Sequence, residues 1–159
     1  MGIFYNGKEI TPIIQAPNAY EPINKMSSMI SGDITAITPM DLMGITKIKS
    51  HAFYNCDKLV VLSKIPDEIT NIGEKAFYNC NTLIEIELGN GITTIGAEAF
   101  ANCSALTKIK INAIIPPVLE DENVFDNTNN CIIYVPSESV STYKTANIWN
   151  LFQNRIEAI

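Results

Sequence analysis

The sequence is poor in basic residues and lacks a long apolar run. Eleven Lys and Arg stand against 17 Asp and Glu, for a net charge of −6, and the basic residues are scattered. Nucleic-acid backbones and anionic lipids are bound by clustered Lys and Arg, so we expect no nucleic-acid partner. A membrane-spanning helix needs about 20 consecutive apolar residues, so we expect no membrane insertion.

Residues that could carry catalysis or hold a metal are also scarce. There is one histidine, His51, and the four cysteines form no CxxC pair, which disfavours zinc. A Gly-rich phosphate loop and an EF-hand series are both missing. His51 falls at a position occupied elsewhere by Lys75 and Glu98, so we interpret it as a solvent-facing spacer rather than a catalytic base. We therefore predict no enzyme activity, no cofactor and no metal site.

The sequence does contain a segment of about 15 residues that is repeated three times. The copies are ITKIKSHAFYNCDKL, ITNIGEKAFYNCNTL and ITTIGAEAFANCSAL, beginning at Ile45, Ile69 and Ile92. A repeat every 23 or 24 residues is typical of a solenoid. The sequence therefore predicts stacked coils in which Phe53, Phe77 and Phe100 form one column.

Each copy also predicts a strand with one solvated face. Ile86 and Leu88 alternate with Glu85 and Glu87, which is the period of two expected of a half-buried strand. A second short strand is expected at 92–95, followed by a tight turn through 98–100. Gly73 and Gly96 fall at equivalent positions and are expected to permit the bend between the two strands.

The repeated Asn-Cys pairs predict core and turn positions. Cys56, Cys80 and Cys103 share one phase of the repeat, and we favour a ladder of free, buried thiols over a disulfide, because three cysteines in a row leave one unpaired. Cys131 is expected to be another core residue. Asn55, Asn79 and Asn102 precede the three cysteines, and we expect their side chains to bond turn backbone.

The N-terminal part does not follow the repeat. Residues 2–10 predict a hairpin turning at Asn6-Gly7, the strongest short signal for a type I′ turn, and a short helix is possible over 21–31. Residues 1–33 are interpreted as a cap over the first coil or, alternatively, as a docking segment. Residues 34–37 resemble a worn half-repeat that opens a solenoid over 34–135.

The C-terminal part is expected to close the open end of the solenoid. Residues 132–135 predict a last strand, stopped by Pro136, and Ser137 is a natural N-cap for a helix over 138–146. Residues 136–159 would form a C-terminal cap. Its bulk would come from Trp149, Phe152, Ile156 and Ile159.

The three copies resemble the leucine-rich repeats of the BspA-like family, which combine Ile-x-x-Ile-Gly, Ala-Phe, Asn-Cys and Leu-x-x-Ile at these offsets. The resemblance covers residues 34–135, and the closing Tyr134-Val135-Pro136 is also similar to the family. It implies an α/β fold: a right-handed solenoid of short parallel strands with brief helical turns, capped at both ends. Members are usually displayed on the cell surface or secreted, although residues 1–20 lack the pattern of a secretory signal.

The solvated strand faces supply the first candidate binding surface. In register, Val61, Glu85 and Lys108 form one row, and Ser63, Glu87 and Lys110 form the next. Glu85 should therefore face Lys108, and Glu87 should face Lys110. These could be ordinary exposed ion pairs, worth under about 1 kcal/mol each, or part of an extended binding face of the kind solenoids use.

A second candidate surface is aromatic. Tyr54 and Tyr78 each follow a core phenylalanine and should stack, which suits a protein interface but also ordinary packing between coils. The preferred hypothesis is a noncatalytic protein-interaction module that binds a host or microbial surface partner. The alternative is a structural or assembly component of a phage or appendage that docks through residues 1–31. The sequence identifies neither the partner nor the oligomeric state.

Overall fold

The protein, described by a computed structural model, is a stack of coils bounded by two parallel sheets. The structure describes residues 3–5, 8–10, 35–128 and 131–159. Each central coil contributes one short strand to a small sheet and one longer strand to a large sheet. The predicted solenoid of parallel strands is therefore confirmed. Equivalent strands pair because the chain returns to the same height after 23 or 24 residues.

The large sheet has six strands in the order β12-β11-β9-β7-β5-β3, and neighbouring strands run parallel. Their bounds are β3 Ala36–Ile37, β5 Val61–Ile65, β7 Glu85–Leu88, β9 Lys108–Ile111, β11 Ile132–Val135 and β12 Ile156–Ala158. The predicted strand at 132–135 is present, but it is not the last one, because β12 pairs with it on the outer side.

The small sheet has four strands of two residues each. They are β4 Lys47–Ile48, β6 Asn71–Ile72, β8 Thr94–Ile95 and β10 Val118–Leu119. The strand predicted at 92–95 is thus shorter than expected, because only residues 94–95 pair with the neighbouring strands. In each strand the isoleucine or leucine is buried, while the residue before it is at least partly exposed.

The core runs between the two sheets along the stack. Phe53, Phe77, Phe100 and Phe125 form one column with ring centroids 5.0, 5.3 and 5.9 Å apart and planes within 12° of parallel. Each of these rings is at most 4% exposed. The predicted column is confirmed, and Phe125 extends it by one coil.

Within residues 35–128 and 131–159, helical structure is confined to short segments. These are 3-10 helices at Pro39–Leu42, Ser137–Ser139 and Trp149–Arg155, and one α-helix, α1, at Val140–Thr145. The prediction that Ser137 caps the helix is wrong. Residues 137–139 form a 3-10 turn in which the Ser139 amide donates to the Pro136 carbonyl, so the α-helix starts later and Ser139 is its N-cap.

The closing residues also differ in part from expectation. Trp149 and Ile156 are buried and Phe152 is half-buried against the core, as predicted. Ile159 is 56% exposed, because it lies past the end of β12. Ile159 therefore contributes little bulk to the closed end.

The N-terminal hairpin is partly described. Strands β1 (Ile3–Tyr5) and β2 (Lys8–Ile10) pair antiparallel, with Tyr5 opposite Lys8, so the predicted hairpin is present. Its turn at residues 6–7 lies outside the described residues. So do the possible helix at 21–31 and most of the segment interpreted as a cap or docking element.

Gly73 and Gly96, which share one position of the repeat, allow close packing between coils rather than a bend between the two strands. A Cβ on Gly73 would lie 2.3 Å from the Ser50 amide nitrogen, and one on Gly96 would lie 2.4 Å from that of Glu74. Real Cβ atoms do not approach backbone that closely, so each glycine lets one coil rest on the coil before it. The expectation that they permit a bend is replaced by this steric role.

The asparagines bond to one another rather than to turn backbone. The Asn79 side chain donates to that of Asn55 at 2.8 Å, and Asn127 donates to Asn102 at 2.7 Å. All four residues have φ between 53° and 61°, a left-handed conformation that asparagine tolerates better than most residues. The repeated asparagine therefore provides both the turn conformation and a contact between coils.

The cysteines are buried, as predicted, and free. The thiols of Cys80 and Cys103 donate to the carbonyls of Phe53 and Phe77 in the preceding coil, at 3.1 and 3.0 Å. A side-chain hydrogen bond with Cys103, followed by desolvation, raises the pKa of the Cys80 thiol far above its usual range. These thiols are packing groups of the core.

Candidate functional site

The outer face of β7 and β9 carries two rows of opposite charge. Glu85 and Glu87 project from β7 and pair in register with Lys108 and Lys110 on β9. The Lys108 Nζ lies 3.6 Å from a Glu85 carboxylate oxygen, and the Lys110 Nζ lies 3.3 Å from one of Glu87. The predicted pairings are confirmed. We call these four side chains the charged face.

The two ion pairs differ in exposure. The Glu85 and Lys108 side chains are 67% and 46% exposed, against 30% and 29% for Glu87 and Lys110. Desolvation acts to raise the pKa of Glu87, but a 2.8 Å hydrogen bond from Asn112 Nδ2 and the contact with Lys110 outweigh it and lower that pKa. Glu87 is therefore held ionised at neutral pH.

The row predicted to contain Ser63 and Glu87 is interrupted. Val61 and Leu62 pair with Glu85 and Ile86, but the next pair is Ile65 with Leu88. Both Ser63 and Lys64 therefore lie opposite Glu87, in a bulge that accommodates the extra residue of the first copy. Of the three strands predicted to form the two rows, only β7 and β9 pair regularly at both rows.

A shallow cavity of about 300 Å³ opens on the same face. Its lining includes the four charged residues together with Val60 and Ile84, which are 40% and 48% exposed. These two apolar residues were not among the candidates predicted from the sequence, because they precede the strands. Both residues stand one position before a strand, at Val61 and at Glu85, and this shared position in the repeat could have identified them.

Tyr134 extends the charged face by one strand. It is paired in register with Lys110, and the Lys108 Nζ lies 5.8 Å from the centroid of its ring. Cation–π contacts of this length are favourable at partly exposed sites. Tyr134 was identified in the sequence only as part of a strand, so its place beside the charged face emerges from the register.

The second candidate surface lies on the turns that follow the small sheet. Tyr54 and Tyr78 stack with centroids 5.1 Å apart and planes 6° from parallel, as predicted. The His51 ring lies 5.3 Å from Tyr54, and the Lys75 Nζ lies 5.9 Å from Tyr78. The tyrosines and the charged face thus belong to different parts of the coil and form two surfaces.

The turns carrying the tyrosines have a second column of left-handed residues. His51, Lys75 and Glu98 have φ of 62°, 52° and 53°, and the Lys75 Nζ lies 3.2 Å from a Glu98 carboxylate oxygen. The Glu98 contact raises the pKa of Lys75. The exposed His51 fits the solvent-facing position expected for it.

The acidic residues after Pro117 have a structural role. The amides of Ala97 and Glu98 donate to the carboxylates of Glu120 and Asp121, at 3.4 and 3.3 Å. Among the residues that the structure describes, no group of three or more His, Cys, Asp and Glu side chains is placed to hold a metal ion. In that same part of the chain, no helix is long and apolar enough to cross a membrane.

Comparison with known families gives one match. A family described as "BspA type Leucine rich repeat region" matches residues 23–150, in six copies. The match extends on both sides of the residues 34–135 that carry the sequence resemblance. No curated protein sequence matches the chain.

Solved structures with a similar fold come from bacterial leucine-rich repeat proteins. One from Bacteroides ovatus aligns over 73% of this chain with a TM-score of 0.53 and 22% identity. One from Bacteroides capillosus covers 58% of this chain (TM-score 0.47, 32% identity), and a leucine-rich cell surface protein from Faecalibacterium prausnitzii covers 59% (TM-score 0.44, 27% identity).

This chain spans 29%, 64% and 26% of the lengths of those three proteins, respectively. The similarity to the Bacteroides ovatus protein identifies the fold alone. Together with the two sheets of parallel strands, it defines an α/β repeat fold.

Proposed function

Because the chain belongs to the BspA-type leucine-rich repeat family, we propose that it is a noncatalytic module that binds a protein partner on a host or microbial surface. The binding site is the charged face, with Val60 and Ile84 beside it. The observation that carries the proposal is the combination of exposed apolar and paired charged side chains around one shallow cavity. Solenoids bind partners through extended faces of this kind.

The arrangement suits protein recognition for a physical reason. Exposed ion pairs contribute little to stability, under about 1 kcal/mol each, so the four charges are available to select a partner without being required for folding. Charge complementarity mainly sets partner choice and association rate. The partly exposed Val60 and Ile84 supply apolar area that a partner can bury.

Tyr54 and Tyr78 are proposed as a secondary contact. Tyr54 is 38% exposed, and tyrosine is enriched at protein interfaces. Their stacking already stabilises the turns, so we assign them a supporting role beside the charged face.

The proposed domain organisation keeps three parts: residues 1–33, a right-handed solenoid over 34–135, and a cap over 136–159. The second boundary is supported by Pro136, which follows β11 directly. The docking role of residues 1–31 in a phage or appendage stays a prediction from the sequence.

The experiment reverses the four charges together, as Glu85→Lys, Glu87→Lys, Lys108→Glu and Lys110→Glu. Binding of the labelled chain to proteins extracted from bacterial and host cell surfaces is measured, and the partner found is titrated. We expect at least a tenfold loss of affinity with a nearly unchanged melting temperature, because net charge and ion pairing are kept.

A matched control reverses one ion pair elsewhere, as Lys75→Glu with Glu98→Lys. This pair also joins neighbouring coils at 3.2 Å and also leaves the net charge unchanged. The control should bind far more tightly than the face-reversed chain, losing at most the contribution of the secondary contact at Tyr78, whose ring Lys75 contacts. Equal affinity of the face-reversed chain for an identified partner would remove the charged face as its binding site.

A further inference from the structure

The charged face has a symmetry that its individual ion pairs do not reveal. Both acidic residues lie on β7 and both basic residues lie on β9, with each glutamate level with a lysine. Adjacent strands are about 4.8 Å apart, and alternate residues of one strand are about 6.6 Å apart. The four charges therefore form two parallel stripes of opposite sign.

This pattern maps onto its own complement under one particular rotation. A half-turn about an axis parallel to the strands, midway between β7 and β9, exchanges the two stripes. A second copy laid on the face by that rotation places its Lys108 over Glu85 and its Lys110 over Glu87. A half-turn about an axis across the strands instead keeps each stripe over itself, opposing like charges.

We propose that the charged face binds the same face of a second copy of this chain, in a two-fold symmetric dimer with the strands of the two copies parallel. An interface of this kind uses one patch on both copies and must be self-complementary. The two stripes satisfy that condition in one orientation only, so the charges also fix the geometry of the pair.

The apolar residues beside the stripes support the same orientation. Ile84, 48% exposed, directly precedes β7, and its carbonyl accepts from the amide of Thr107, which directly precedes β9. The same rotation exchanges the strands that these residues precede, so each copy covers the Ile84 of the other with its Thr107. Burying an exposed isoleucine in each copy favours association.

The association is weak and reversible. The face itself is electrically neutral, but each chain carries a net charge of −6, which opposes approach of two copies. Ions screen both this repulsion and the attraction between stripes, over about 10 Å at 0.1 M salt. The dimer therefore forms at high protein concentration and moderate ionic strength.

The test exploits the polarity of the stripes. The fully reversed chain, with Glu85→Lys, Glu87→Lys, Lys108→Glu and Lys110→Glu, keeps the symmetry and the net charge but exchanges positive and negative stripes. We expect it to dimerise with itself as well as the original chain does. With the original chain, the parallel orientation joins like charges, and opposite charges meet only through the half-turn across the strands, which does not place Ile84 over Thr107. Mixed pairs should therefore be weaker than the pairs that each chain forms with itself.

Two half-reversed chains complete the design. Glu85→Lys with Glu87→Lys makes the face all positive, and Lys108→Glu with Lys110→Glu makes it all negative. Each alone should remain monomeric, while an equimolar mixture of the two should form mixed dimers. A mixture that pairs no better than either half-reversed chain alone would overturn the proposal.

Self-association is measured by sedimentation equilibrium from micromolar to millimolar protein, starting from the single-chain mass of 17.5 kDa. Mixed pairing is measured by energy transfer between chains labelled with two dyes at the N-terminus. Thermal melts followed by circular dichroism check that each chain is folded. Sedimentation of the unaltered chain tests for self-association without any substitution.

Two further outcomes would overturn the proposal: a single-chain mass at every concentration, or mixed dimers of the original and fully reversed chains as abundant as the dimers each forms alone. The Lys75→Glu, Glu98→Lys control should dimerise like the original chain. The two proposals place different occupants on the charged face, so a surface partner would compete with the second copy. The dimer test is nevertheless independent, because it uses this chain alone. Failure of either proposal leaves the other standing.

Discussion

The regular coils, residues 45–111, and the closing segment, residues 112–159, are held to their neighbours by different groups. At one position that recurs in the regular coils, the contact to the next coil is backbone to backbone: the His51 amide donates to the Glu74 carbonyl, and the Lys75 amide to the Ala97 carbonyl, both at 2.9 Å. At the next equivalent position, the Glu98 amide instead bonds the Asp121 carboxylate. Side chains begin to replace backbone where the repeat ends.

Further along the closing segment, side chains rather than backbone amides donate to several backbone carbonyls of the preceding residues. Tyr143 Oη donates to the Ala113 carbonyl at 2.8 Å, Trp149 Nε1 to the Pro117 carbonyl at 2.6 Å, and Arg155 Nε to the Cys131 carbonyl at 2.8 Å. An identical neighbour offers matching backbone groups, so repetition alone satisfies them. A segment that departs from the repeat must reach those groups with long side chains.

The largest expected effect comes from removing the tryptophan that anchors the closing segment. Trp149→Ala should reduce the free energy of unfolding by about 3–5 kcal/mol, because Trp149 is 1% exposed, contacts Phe125 and Tyr143, and satisfies the Pro117 carbonyl. Urea unfolding measures the loss. Leu151→Ala in the same 3-10 helix, at a side chain 61% exposed, should cost less than about 0.5 kcal/mol.

The second prediction concerns the close backbone packing of the regular coils at Gly96. Gly96→Ala should destabilise the protein by about 1–3 kcal/mol or more, because the added methyl would lie 2.4 Å from the Glu74 amide nitrogen. Thermal and urea unfolding would measure this effect.

The matched control for Gly96 is Glu120, its register equivalent on the closing coil, since Leu119 pairs with Ile95. Glu120→Ala loses a long hydrogen bond at 3.4 Å and should cost under about 1 kcal/mol. If the two alanine substitutions cost the same, the distinction between close backbone stacking in the coils and side-chain bonding at the end would be wrong.

Asparagine pairs occur both within the regular coils, Asn79 with Asn55, and between a regular coil and the closing segment, Asn102 with Asn127. They therefore test where the two regions are alike. Asn79→Ala should cost about 1–2 kcal/mol, because alanine is disfavoured at a φ of 60° and the bond to Asn55 is lost. Asn79→Gly accepts the same φ and should cost less than Asn79→Ala. Denaturant titration of both variants separates the conformational effect from the hydrogen bond; a glycine variant less stable than the alanine variant would contradict this account.

The smallest effect concerns pH and the charged face. The folded state lowers the pKa of Glu87 below its ordinary value of 4.5, so ionised Glu87 adds stability above about pH 4.5 that is lost as the pH falls through the folded pKa. The contribution is under about 1 kcal/mol, because the side chain is 30% exposed.

The measurement compares urea unfolding of the original chain and of Glu87→Gln at pH 6 and at steps below pH 4.5. The stability advantage of the original chain should shrink on acidification. An advantage that stays constant over this range would show that the ionised carboxylate adds nothing to the regular coils.

The candidate site was predictable to the extent that it follows the repeat. Glu85 and Lys108 occupy the same position in successive copies of the repeat, which was enough to predict that they face each other. The structure pairs them in register. The predicted row of Ser63, Glu87 and Lys110 is regular between Glu87 and Lys110, but the extra residue in the first copy introduces a bulge at Ser63 and Lys64. Val60 and Ile84 were missed because their exposure depends on how the turns before the strands open onto the face.

By itself the sequence determined the coil length, the phenylalanine column and the parallel strand register, because a repeat places chemically identical groups at matching heights. Tertiary structure alone decided how the ends close. Ser137 did not become the N-cap of α1, β12 added a strand beyond β11, and Ile159 remained exposed. These outcomes depend on contacts between distant, dissimilar residues, such as Trp149 with the Pro117 carbonyl, and no local pattern encodes such contacts.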